Sequence, residues 1–88
     1  MRLKYTFDKM ELNDQIVAVP VGDNADNYHG VVKMNETANA IFNLLAEDTT
    51  EEAIVEAMEK EYDVFKEILA ADVKRYVQEF REKGLLVE

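Results

Sequence analysis

The apolar residues of this chain change their spacing at Asn35, and that change sets the order in which strands and helices can occur. Before it, Phe7, Lys9 and Glu11 alternate with Asp8, Met10 and Leu12, an imperfect period of two that ends at the turn-forming pair Asn13-Asp14. Gln15 to Val21 is rich in β-branched residues, and Pro20 near its end is tolerable only at a strand end or edge. The turn formers Gly22 to Asn27 follow, and Tyr28 to Met34 again alternates, predicting a third strand antiparallel to the second.

After Asn35 the period is helical. Asn35 is a good N-cap, and Ala38, Ile41, Phe42 and Leu45 share one face of a helix from about Glu36 to Ala46. Thr49 with Glu52 has the spacing of a capping box, opening a second helix that buries Ala53, Ile54, Ala57, Met58 and Tyr62 and ends near Asp63. Leu69, Val73, Tyr76, Val77 and Phe80 place a third helix up to Lys83, closed by Gly84 in the left-handed conformation with Leu85 folded back on the last turn. Phe42, Leu45, Ile54, Met58, Val77 and Phe80 are the expected core. The expected fold is α+β: one domain over residues 1–88, with a three-stranded antiparallel sheet followed by three helices in a winged-helix-like arrangement. If the strands lie in chain order, the third is an edge, able to template an incoming strand.

Composition narrows the chemistry. The 88 residues contain no cysteine, no serine and one histidine, His29, so thiol catalysis, disulfides and Ser-His-Asp triads are excluded. No catalytic residue, metal ligand or cofactor site is expected. The net charge of −9 repels phosphate backbones, and it is unevenly distributed: residues 1–34 carry five acids and four bases, residues 35–88 fourteen and six. Nucleic acid is therefore a poor partner. No apolar run approaches the roughly 20 residues of a membrane span, and Met-Arg-Leu-Lys is not followed by a signal-peptide core, so neither membrane association nor secretion is expected and the cytoplasm is the default compartment.

Several features admit a sharp and a plain reading. His29 has no second histidine and reads as structural or surface. Glu52, Glu56 and Glu59 share a helical face but lack the Glu-x-x-His of carboxylate metal bundles, so the face reads as solvated acid. Gly30 marks either a bulge or room for another backbone. Leu69 and Tyr76 are open between core and groove, and Lys33, Lys74 and Arg75 between solvated bases and contacts to an acidic ligand.

The run Lys33-Met34-Asn35-Glu36-Thr37-Ala38-Asn39-Ala40-Ile41-Phe42 resembles the strand-to-helix signature of the coenzyme PQQ synthesis protein D (PqqD) family. Thr49 to Ile54, Glu61 to Val64, and Ala71 through the Gly84-Leu85-Leu86 close agree with it in order and spacing, over about residues 5–88. The resemblance implies a RiPP recognition element: a non-catalytic adaptor that binds the leader of a ribosomally made precursor peptide and presents it to a modifying enzyme, often a radical-SAM protein. It implies that the leader adds as a strand beside the third strand, Tyr28, His29, Gly30, Val31, Val32 and Lys33, in a groove completed by Leu69, Val73 and Tyr76. The expected assembly is a monomer or weak dimer. A winged-helix DNA-binding domain or another protein-interaction domain is the alternative, disfavoured because Lys74, Arg75, Arg81 and Lys83 are interleaved with Asp72, Glu79 and Glu82.

Overall fold

The computed structural model describes residues 1–22 and 30–88. In chain order the elements are β1 (Arg2–Leu3), β2 (Thr6–Leu12), β3 (Gln15–Val21), β4 (Val32–Met34), α1 (Glu36–Leu44), α2 (Glu51–Glu59), α3 (Lys66–Glu82) and β5 (Leu86–Val87). Strands β2, β3 and β4 form an antiparallel sheet in that order. The α+β expectation therefore holds, with one addition: β1 and β5 pair as a separate two-stranded ribbon, Leu3 opposite Leu86.

The β2–β3 hairpin closes through Asn13-Asp14, with Leu12 opposite Gln15. Asn13 has φ 59°, the left-handed region that asparagine tolerates better than most residues, which is why a loop of this length closes there without glycine. In β3 and β4 the pleat sends Ala18, Val32 and Met34 to the helical side, where they join Ile41, Phe42, Val73 and Phe80 in one core cluster. On β2 the alternation is inverted relative to polarity. Lys9 lies opposite Ala18 on the inner side, its ammonium 5.3 Å from the centre of the Phe42 ring, while Met10 and Leu12 face out at 51% and 55% exposure. Burial holds the Lys9 ammonium below its ordinary pKa.

Asn35 caps α1 as expected: its side-chain oxygen accepts from the Ala38 N–H at 2.8 Å, so the chain turns from β4 directly into the helix. The second cap falls one residue later than predicted. Thr50, not Thr49, accepts from the Ala53 N–H at 3.1 Å, because the Thr49 N–H donates instead to the Met1 carbonyl. Ala53, expected in the core, is exposed, and Val55 packs there instead beside Ile54 and Met58. Helix α2 ends at Glu59 rather than near Asp63, although the Tyr62 N–H still donates to the Met58 carbonyl.

Helix α3 closes as the glycine predicted. Gly84 has φ 76°, its N–H donates to the Arg81 carbonyl, and the Leu85 N–H reaches back to the Phe80 carbonyl at 3.0 Å. This is the double-bonded Schellman close, and Leu85 completes it by burying its side chain fully. Phe42 sits at the centre of the core, with Phe7 and Phe80 edge-on to it at 5.1 and 5.7 Å. All six residues expected to form the core are buried. No helix among the described residues is long and apolar enough to cross a membrane.

Candidate functional site: an open sheet edge beside helix α3

Among the described residues strand β4 is hydrogen-bonded to β3 alone, so its other side is an edge of the sheet they form. Within it, Val32 is 1% exposed and belongs to the core, whereas the Lys33 side chain points to the face away from the helices, opposite Val17. What Val32 and Lys33 offer an incoming strand is main chain. Val31, just before the strand, is 46% exposed. Gly30 has φ 132°, a conformation that side-chain-bearing residues rarely adopt, and a Cβ there would meet nothing within 4 Å. The backbone angle, not a close neighbour, is thus what calls for glycine at this position. Tyr28 and His29 lie outside the described residues.

Helix α3 meets the end of β4 through Asn35 and Tyr76, and its side chains sort differently from expectation. Leu69 and Val73 are 3% and 0% exposed and pack within the core cluster, so neither lines an open groove. The reason is helical phase: with Val77 and Phe80 they form the stripe that seals the sheet, and a groove can only use the flank next to it. Tyr76 is on that flank. Half-buried, it holds the Arg75 guanidinium 4.8 Å over its ring and accepts a hydrogen bond on its hydroxyl from the Asn35 side-chain amide at 3.0 Å. Asn35 thus ties the end of β4 to α3 while its other side-chain atom caps α1.

Phe65, Ile68, Asp72 and Tyr76 follow one another at intervals of three and four, one side of the helix. The opposite flank, Lys66, Ala70 and Lys74, faces Glu51, Val55 and Glu56 of α2 across a cleft of about 650 Å³. The Phe65–Tyr76 stripe therefore looks away from α2, on the side where Tyr76 meets the end of β4. Phe65 is 78% and Ile68 51% exposed, and Phe65 occupies the N-cap position of α3 with no side-chain cap bond. An aromatic where a short polar side chain is preferred is the local sign of this exposed helix start, and the apolar spacing of the helix itself shows only from Leu69 onward.

Among the described residues no grouping of three histidine, cysteine, aspartate or glutamate side chains could hold a metal ion. A second concavity of about 530 Å³, lined by Glu11, Glu36, Asn39, Glu61 and Tyr62, lies between the hairpin, α1 and α2. Arg75 and Asp72 form an exposed pair at 3.6 Å on α3, a spacing and exposure at which the ion pair contributes little.

The sheet thus has β4 as one of its two edge strands, and helix α3 exposes Phe65 and Ile68 on one flank. The model of the coenzyme PQQ synthesis protein D (PqqD) family matches residues 15–86, and the chain belongs to that family. Its fold is similar to that of a solved structure described as TbiB1 in complex with the TbiA(beta) leader peptide: the TM-score is 0.73 at 21% identity, covering 98% of this chain and 94% of that one. No curated protein matches the chain in sequence.

Proposed function

We propose that the chain is a non-catalytic adaptor that binds the leader of a ribosomally made precursor peptide as a strand added to β4, and presents it to a modifying enzyme of the radical-SAM type. The observation that carries the reading is the open edge of β4 lying beside Tyr76 in a member of the PqqD family. The similar fold of TbiB1, whose structure holds a leader peptide, supports it. In this reading the leader's main chain pairs along residues 31–33 through the main-chain groups there that do not face β3, with Gly30 setting the approach. Alternate leader side chains then rest on Tyr76 and Ile68 rather than on the sealed Leu69 and Val73. Main-chain pairing tolerates many sequences, so selectivity comes from the side chains that meet α3. Because a disordered leader must be ordered on binding, an affinity near micromolar, about −8 kcal/mol, is expected.

The test is an NMR titration of the labelled chain with a synthetic peptide matching the leader of the precursor encoded beside its gene. Shifts gathering at residues 30–34 and at Ile68, Asp72 and Tyr76 are the expected result. Shifts confined to α2, with β4 silent, would refute the site.

A further inference from the structure

Three of the chain's ten bases converge on one concavity from which its nineteen acids are missing. It holds about 470 Å³ between residues 2–9 and the end of α1, and it is lined by Arg2, Lys4 and Lys9 together with the rings of Tyr5, Phe7 and Phe42. No residue of β3 lines it, so it opens at the edge of β2 that does not face β3. Two of the cations stand over rings: the Lys4 ammonium is 5.7 Å from the centre of Tyr5, and that of Lys9 is 5.3 Å from the centre of Phe42. None of the three bases makes an ion pair among the described residues, and Asp48, beyond α1, pairs instead with the Met1 amino group at 2.9 Å. An inward-pointing lysine on an edge strand can serve only to discourage unwanted pairing. That role accounts for Lys9, but it calls for neither Arg2 and Lys4 nor an acid-free cleft in a chain with nearly twice as many acids as bases.

We infer that this cleft docks an extended acidic segment of a partner protein, its carboxylates meeting Arg2, Lys4 and Lys9 and its main chain running along the edge of β2. Charge complementarity carries the choice of an acidic ligand, and three further features favour a polypeptide over a free anion or a nucleic acid. The aromatic walls suit the carbon of side chains beside the charge. Residues 8–12 of β2 are exposed, and an edge strand offers main-chain hydrogen bonds that a peptide can return. A net charge of −9 repels a phosphate polymer as a whole, whereas a short acidic stretch meets the local cations within a Debye length of about 10 Å. Burial already holds the Lys9 ammonium below its ordinary pKa, so an incoming carboxylate would compensate a cation that is partly desolvated and has no counter-ion. A leader paired with β4 lies two strand spacings away, about 10 Å across the sheet, so both edges can be occupied at once. In the proposed function the docking partner is the modifying enzyme, and only this assignment rests on that reading.

The test is an NMR titration of the labelled full chain with the peptide Ac-Thr-Glu-Val-Glu-Thr-amide, with its counterpart carrying Gln for Glu, and with inorganic phosphate. The acidic peptide should shift residues 2–9 and 42–46 with a dissociation constant on the order of 1 mM, as expected for five residues on a small surface. The Gln peptide should bind at least about fivefold more weakly. Lys4→Gln and Lys9→Gln should each weaken the acidic peptide about threefold or more with the far-UV spectrum unchanged, and Lys9→Arg should restore it. Lys60→Gln, which removes an equal charge at the end of α2, should change it less than about twofold. Equal binding of the two peptides overturns the inference, as does an equal loss from Lys60→Gln. Phosphate that displaces the acidic peptide at equal concentration would make the cleft a general anion site, and displacement by the leader would assign it to the leader; either result overturns the docking of a partner there. These titrations contain no leader until that last step, so they stand whether or not β4 binds one.

Discussion

Phe80→Ala should cost about 3–5 kcal/mol of folding stability, a large share of the roughly 5–10 kcal/mol expected for a domain of this size. Phe80 is 2% exposed, sits edge-on to Phe42 at 5.7 Å, and its carbonyl accepts the Leu85 N–H that closes α3. The truncation leaves a cavity in the middle of the aromatic trio, which packed neighbours on the sheet and α3 fill only in part. Urea unfolding monitored by circular dichroism reads the change directly. A loss below about 1 kcal/mol would mean that the ring does not carry the core.

Leader binding should respond as strongly to one charge in the groove. Tyr76→Asp places a carboxylate where an apolar leader side chain would rest and removes the hydroxyl that accepts from Asn35. We expect affinity to fall at least about tenfold, because burying an unpaired charge costs more than the 1.4 kcal/mol that tenfold represents. Fold damage is separable, since Tyr76 is only half-buried and Tyr76→Phe keeps the ring while losing the hydroxyl. Methylating single backbone nitrogens of the leader tests strand addition itself. In an added strand, alternate N–H groups face β4, so alternate methylations should weaken binding severalfold while the intervening ones leave it intact. Uniform sensitivity along the peptide, or none, would mean that the leader does not bind as a strand.

The fold was legible wherever one local rule decided the outcome. The change of period at Asn35, its cap, the Asn13-Asp14 turn and the Gly84 close each depend on residues a few positions apart, and each stands where the spacing predicted. What escaped prediction depends on distant partners. Arg2–Leu3 and Leu86–Val87 are strands only because they pair with each other, and two residues carry no period to detect. Thr49 is the better cap on spacing, with Glu52 three residues on, yet Thr50 caps the helix while the Thr49 N–H is engaged by the distant Met1 carbonyl. At the candidate site, β4 stands at a sheet edge as chain order implied, whereas Leu69 and Val73 are buried in the core rather than open to a groove. Spacing alone identifies an apolar stripe on a helix, but which edge of it is sealed depends on where the sheet lies. The exposure of Phe65 and Ile68 depends on that placement in the same way.

The ribbon of β1 and β5 bears on the order in which the molecule assembles. Pairing Arg2 with Val87 joins positions 85 apart, and closing a loop of that length costs roughly 4 kcal/mol of chain entropy before any contact repays it, whereas the β2–β3 hairpin closes across two residues. Local pairings thus form first, and the ribbon zips only after α1 and α3 have brought Leu45 and Leu85 to receive the N–H groups of Leu3 and Lys4. The ribbon therefore acts as a latch on the finished structure. Truncating Leu86 to alanine should hasten unfolding in stopped-flow experiments while leaving the folding rate nearly unchanged, and a slowed folding limb would place the ribbon in the nucleus instead.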